Sequence, residues 1–274
     1  MAQDTQMNKK LSGKVALVTG ASKSIGQGLA VGLAGVGARV AVNYKNDLVG
    51  AEATCERIRQ AGGEAEVFQA DIGAKADFEQ LVDQVCERFG RLDILVNNAA
   101  RTRFGHVFDI TEEDFDDVVN TNLRGPFFGS AAAARRMIAQ GGGGAIINIS
   151  SCAAKVIIPH HSSYTMAKGG LEALTRQLAI ELAPHVRVNA IAPAPTSNAR
   201  NLAYDQDYDR KWAAVMPAKR VAQVEDYVGP CVFLASDDAA LLTGQILNVD
   251  SGWTLIGFTP DLSRFDFSED RKRG

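Results

Sequence analysis

Cysteine is scarce in this sequence. There are four in 274 residues, Cys55, Cys86, Cys152 and Cys231, and neither metal-site nor disulfide spacing relates them. A disulfide framework and a zinc cluster are therefore not expected, and the thiols read as reduced groups in a cytosolic protein. Long apolar runs are missing too. None approaches the ~20 residues of a membrane span. An excess of one charge is absent: 29 Lys and Arg stand against 32 Asp and Glu, a net of −3. That gives no footing for nucleic acid or an anionic membrane. Residues 1–10 form a polar extension without the apolar core of a signal peptide, so a cytoplasmic location is expected. No Gly-x-Ser-x-Gly elbow is present to serve a serine hydrolase.

What the chain does contain is an alternation of two patterns. Short runs rich in Val and Ile read as strands: Val15–Thr19, Val40–Asn43, Glu66–Gln69, Ile94–Val96, Ala145–Ile149, Val186–Ile191 and Ile246–Val249. Their continuous apolar character implies burial on both faces. Between them lie helical patterns over Ile25–Val36, Leu48–Ala61, Ala76–Phe89, Glu112–Ala139, Ser162–Ala183 and Val224–Ala235. Strand–helix alternation predicts an α/β fold, a mostly parallel seven-stranded sheet with helices on both faces. No linker or repeat divides residues 11–257, which read as one domain. The stretch 193–220 is long and weakly periodic, as a lid or binding loop would be. The charged tail 258–274 is expected to be disordered.

The first strand runs into Thr19-Gly20-Ala21-Ser22-Lys23-Ser24-Ile25-Gly26 and then a helix. A tight Gly-rich turn in that position aims backbone amides, at the positive end of a helix, at an anion such as a pyrophosphate. The second strand ends in Asn43-Tyr44-Lys45 without the acidic residue that usually accepts from the ribose 2′-hydroxyl of NAD. Lys23 and Lys45 can instead pair with a 2′-phosphate, which favours NADP(H). Asp71 and Ile72 follow the third strand, where the adenine edge would lie, with a helix N-cap as the other reading of Asp71.

Tyr164 and Lys168 are four apart and share a helix face. An ammonium beside a phenol favours the phenolate, so the Tyr164 pKa is expected to fall from ~10 toward working pH. That suits proton exchange with a carbonyl or alcohol oxygen, and Ser151 offers a second hydroxyl to the same oxygen.

These pieces, in this order, resemble the short-chain dehydrogenase/reductase family over about residues 11–257. Thr19–Gly26 is similar to the family's TGxxxGxG turn, and Asn97-Asn98-Ala99-Ala100 to its NNAG. Asn122 matches its Asn, Ser151 precedes Tyr164 by its separation, and Lys168 completes YxxxK. Val188–Pro193 and the Thr243–Asp250 stretch are similar to its late motifs, with Thr196 just beyond. The resemblance implies a doubly wound Rossmann-type domain, a catalytic set of Asn122, Ser151, Tyr164 and Lys168, and a homotetramer. Tyr164 would be the acid–base, Lys168 would also hold the ribose hydroxyls, Ser151 would orient the substrate oxygen, and Asn122 would hold a relay water. Asn98, Ala99, Ala100, Pro193 and Thr196 would complete the cofactor site. Three positions depart from the family pattern, because Ser24, Ala100 and Ala194 stand where glycine is usual.

The implied activity is hydride transfer between NADP(H) and a ketone or 3-oxoacyl carbonyl and its alcohol. A sugar or polyol dehydrogenase is the alternative within the family, and a nucleotide-binding scaffold the alternative outside it. Arg101, Arg103 and His106 border the expected substrate region, but read more simply as solvated surface. His160, His161 and Trp212 are candidates for substrate contact, and Trp253 for a subunit contact.

Overall fold

The computed structural model describes residues 9–256; the tail 258–274 and all but the last two residues of the N-terminal extension lie outside them. Seven strands form one sheet: β1 (Val15–Val18), β2 (Arg39–Tyr44), β3 (Ala65–Gln69), β4 (Ile94–Asn97), β5 (Gly144–Ile149), β6 (Val186–Pro193) and β7 (Ile246–Val249). Their order is β3-β2-β1-β4-β5-β6-β7, and every neighbouring pair is parallel. The sheet is thus wholly parallel, the doubly wound arrangement expected.

Burial on both faces explains the unbroken apolar strands. In β1, Ala16 and Val18 enter one core with Leu29 and Leu33 of α1 (Ser24–Gly35) and Ile58 of α2 (Leu48–Gln60). Val15 and Leu17 point the other way. They join Phe78, Leu81 and Val85 of α3 (Lys75–Phe89) and further residues from two later helices, α5 (Gly125–Ala139) and α6 (Ser162–Glu181). A one-residue slip would exchange the two sets, so this alternation fixes the register.

The helical pattern Glu112–Ala139 proves to be two helices. α4 (Glu112–Val119) and α5 are joined by one turn of π-helix over Asn120–Arg124. Pro126 supplies the reason: it has no N–H for the Asn122 carbonyl, its partner in an α-helix. The stretch 193–220 is more ordered than expected and holds α7 (Ala199–Tyr204) and α8 (Tyr208–Val215), ahead of α9 (Val228–Ala235). No helix among the described residues is long and apolar enough to cross a membrane.

Strand order reverses between β1 and β4. The loops leaving the carboxyl ends of these strands and of β5 and β6 therefore diverge around a crevice, the usual ligand position in such sheets.

Candidate active site

The crevice is a cleft of about 750 Å³, within the usual range for small-molecule sites. At one end is the glycine turn, held from three sides. Gly20 takes a left-handed φ of 61°, and its N–H donates to the Asn43 Oδ1 at 3.1 Å. Asn98 donates from Nδ2 to the Thr19 and Gly20 carbonyls at 2.8 and 3.1 Å. The Thr19 hydroxyl accepts from the Asn98 and Ala99 amides. A Cβ on Gly26 would sit 2.4 Å from both the Asn98 Nδ2 and the Gly20 carbonyl oxygen, so no larger residue fits. Ser24 does occupy a position that glycine would favour. Its φ is 52°, and the small side chain keeps the turn's shape at some local strain.

Beyond the turn, the ends of β2 and β3 meet. Lys45 Nζ lies 2.6 Å from the Asp71 carboxylate, and Lys23 Nζ 3.5 Å from Asp47. Burial works against the Asp71 carboxylate, yet the Lys45 ammonium and the Gly73 amide hold it below the usual range. Asp71 is not a helix cap, because Ala74 occupies the N-cap of α3. Ser22, Ile25 and Ile72 complete this end. Tyr44 departs from the sequence expectation: it is buried in the core shared with α1 and α2 and does not line the cleft. Asn43 lines it, but its amide is spent on the glycine turn and on the carbonyls of Tyr44, Phe68 and Ala70.

At the other end Ser151, Tyr164 and Lys168 face the same cleft. Lys168 is 2% exposed and has no carboxylate partner among the described residues. Its Nζ donates to the Ile149 carbonyl at 2.6 Å and lies 5.7 Å from the centre of the Tyr164 ring. Burial pushes its pKa down to about 7. The Tyr164 phenol moves opposite to the direction expected from sequence. Burial raises its pKa, and the Ser151 hydroxyl opposes that rise only in part. The expected lowering by Lys168 fails because the same burial penalises both charges.

Asn122 is buried beneath the cleft rather than on its wall. Its side chain donates to the Arg101 carbonyl and accepts from the Arg101 amide, both at 2.8 Å. It thereby ties the π-turn to the chain that leaves β4. A further polar network, not legible from motifs, fixes α6. Asn97 donates to Asn148 and Ser130, and Asn148 donates to Thr175 Oγ1 on α6. Two turns separate Thr175 from Lys168, so this chain helps set the height of the helix over the sheet.

Ala99, Ala100, Pro193 and Thr196 line the cleft between its two ends. Thr196 Oγ1 is 2.7 Å from the buried Tyr227 hydroxyl and donates to the Ala194 carbonyl. Cys152 also borders the cleft, but burial pushes its thiol up to about 12, leaving no thiolate near neutral pH. Of the substrate-side candidates, Arg101 is 3.8 Å from Asp117, and Arg103 is bound to Asp114 and Asp117 at 3.0 and 2.8 Å. His161 and Trp212 line the cleft, whereas Arg103, His106 and His160 do not. Trp212 meets Trp253 edge to face at 5.3 Å.

A family model described as enoyl-(acyl carrier protein) reductase matches residues 20–254. Versicolorin reductase stcU of Emericella nidulans is 38% identical, covering 89% of this chain and 97% of that protein. A crystal structure of a short-chain type dehydrogenase/reductase from Mycobacterium marinum superposes with a TM-score of 0.86 at 32% identity, over 91% and 99% of the two chains. The angucycline C-6 ketoreductase LanV with bound NADP gives 0.84 at 34% identity, over 90% and 98%.

Proposed function

The chain belongs to the short-chain dehydrogenase/reductase family, and from that premise we propose that it is an NADP(H)-dependent cytoplasmic oxidoreductase. It would exchange a hydride between the nicotinamide and a ketone or 3-oxoacyl carbonyl and its secondary alcohol. The observation that carries this reading is one cleft joining a Gly20–Gly26 phosphate turn to Ser151, Tyr164 and Lys168.

The residues present fit the dinucleotide. Amides of the glycine turn would take the pyrophosphate, and Lys23 and Lys45 the 2′-phosphate. Asp71 and Ile72 would meet the adenine, and Asn98, Ala99, Pro193 and Thr196 would flank the nicotinamide half. When bound, the cofactor supplies or accepts the hydride. Tyr164 gives its phenolic proton to the carbonyl oxygen in reduction and takes it back in oxidation. Ser151 orients that oxygen. Lys168 holds the ribose hydroxyls, and its charge stabilises the phenolate left after proton transfer. The Asn122 carbonyl, denied an α-helical donor by Pro126, would hold the water that returns a proton to Lys168.

An enoyl reductase, the name attached to the family model, is not favoured, because such enzymes of related fold usually space Tyr and Lys more widely than Tyr164 and Lys168. The ketoreductase LanV with bound NADP supports both the cofactor choice and the ketone class, and versicolorin reductase the reductase reading. Exposed Phe115, Phe127 and Met166 on α4, α5 and α6 support assembly as a homotetramer through those helices.

The cofactor choice has a direct test in steady-state kcat/KM for NADPH and NADH. NADPH should be preferred, and Lys23→Ala should narrow the preference several-fold through loss of a charge-assisted contact. Equal use of both cofactors by the wild type would overturn the assignment.

A further inference from the structure

Two arginines, Arg101 and Arg200, line the cleft, and the proposed chemistry uses neither. Of the lysines and arginines lining it, Lys23, Lys45 and Arg101 each face a carboxylate, and Lys168 is buried on a carbonyl. Arg200, on α7, is exposed and has no carboxylate or hydrogen-bond partner among the described residues, yet it lines the same cleft. Lys23 and Lys45 sit at the β2 end; Arg200 lies beyond β6, on the Tyr164 side.

The walls around that side are aromatic. Phe104 meets His161 edge to face at 4.3 Å and lies 5.3 Å from Tyr204. His161 is 6.0 Å from the catalytic Tyr164 ring. On α8, Tyr208 and Trp212 pair at 5.9 Å. These rings come from the loop after β4, the start of α6, and α7–α8. Aromatic rings gathered on this side of the cleft suit a flat aromatic substrate.

We propose that the site takes a flat aromatic ketone carrying an anionic ring substituent, a carboxylate or ionised phenol, and that Arg200 binds the anion. This rests on the carbonyl-reductase reading above. A guanidinium suits both anions, since it is always charged and donates in a planar fork. Its positive charge favours the anionic forms of Tyr164 and Tyr208 and disfavours a charged His161, each as a smaller effect beside burial.

The test compares 6-acetyl-2-naphthoate with 2-acetylnaphthalene, using NADPH and the full chain. Wild type should favour the carboxylate by about tenfold or more in kcat/KM, the scale of one charge-assisted hydrogen bond. Arg200→Gln should bring the ratio toward one, Arg200→Lys should keep part of it, and the KM for NADPH should not move in either. A 6-hydroxy-2-acetylnaphthalene arm, run above and below the phenol's pKa, separates phenolate from carboxylate recognition. A wild-type ratio near one, a ratio that survives Arg200→Gln, or an effect carried by the KM for NADPH would overturn the proposal.

A second readout needs no turnover. Trp212 lines the cleft, so 2-naphthoate binding should quench tryptophan fluorescence, and Arg200→Gln should weaken that binding about tenfold. Such binding without reduction of any carbonyl upholds the anion site while defeating the reductase reading. Reduction of neutral ketones without naphthoate binding defeats the anion site and leaves the reductase reading standing.

Discussion

Tyr164→Phe should lower kcat by about 10²- to 10⁴-fold, the range for a positioned general acid, while leaving NADPH affinity within about twofold. The substitution removes one oxygen and keeps the ring. The His161–Tyr164 edge contact at 6.0 Å therefore survives, and the helix that carries Lys168 does not move. The direction of the Tyr164 shift adds a second expectation. Burial raises this phenol's pKa, so at neutral pH it is the protonated acid. Reduction needs that form, and oxidation needs its conjugate base. Reduction should thus fall off only as Lys168 loses its charge above about pH 7, while alcohol oxidation climbs as pH rises toward the phenol's own raised pKa. Stopped-flow turnover, fluorescence titration with NADPH and pH–rate profiles in both directions check these points. A Phe variant retaining kcat would remove Tyr164 from the proposed role.

Lys168→Met should produce two opposite changes. Activity should fall about a thousandfold, because a group stabilising the phenolate and gripping the ribose is lost. Stability at pH 7 should rise, by about 1–3 kcal/mol, because a buried ammonium with one carbonyl partner gives way to an apolar chain of similar length. The sign follows from linkage. The folded-state pKa of about 7 lies below the ordinary 10.5. Between those values the unfolded chain binds a proton that the folded chain does not, so wild-type stability rises with pH over that window. The advantage of the Met variant is therefore greatest below pH 7 and shrinks toward pH 10. Urea denaturation of both proteins at several pH values isolates this difference, since every other group is common to the two. A Met variant less stable than wild type at all pH values would mean that Lys168 is satisfied by contacts stronger than its single carbonyl bond.

Much of the fold was legible because burial on both faces leaves an unmistakable trace. Val15–Val18 and Ala145–Ile147 are apolar without alternation, the pattern of strands covered on both sides of a sheet. The break in Glu112–Ala139 was encoded at Pro126, but proline near a helix start is common enough that its effect on the Asn122 carbonyl shows only once the chain is traced. The residues brought together at the glycine turn were legible from spacing. What spacing cannot give is environment. Tyr44 neighbours Lys45 in sequence, yet strand alternation turns it into the core. Spacing places an ammonium beside a phenol at Lys168 and Tyr164, but not the shared pocket that desolvates both. Arg200 gave no signal, because a single arginine in a weakly periodic stretch looks like any surface charge. Its meaning comes from the carboxylates that its neighbours in the cleft have and it lacks.

In the proposed reaction this one cleft performs hydride transfer to a carbonyl, and Tyr164 closes it by protonation. The most direct measurement follows deuterium from NADPH labelled at the reactive nicotinamide carbon into the product of an aryl ketone. One deuterium should appear on the carbinol carbon per cofactor oxidised, with loss of transfer in Tyr164→Phe. Tight NADPH binding with no label transferred to any member of a ketone and sugar panel would contradict it and identify the protein as a nucleotide-binding scaffold.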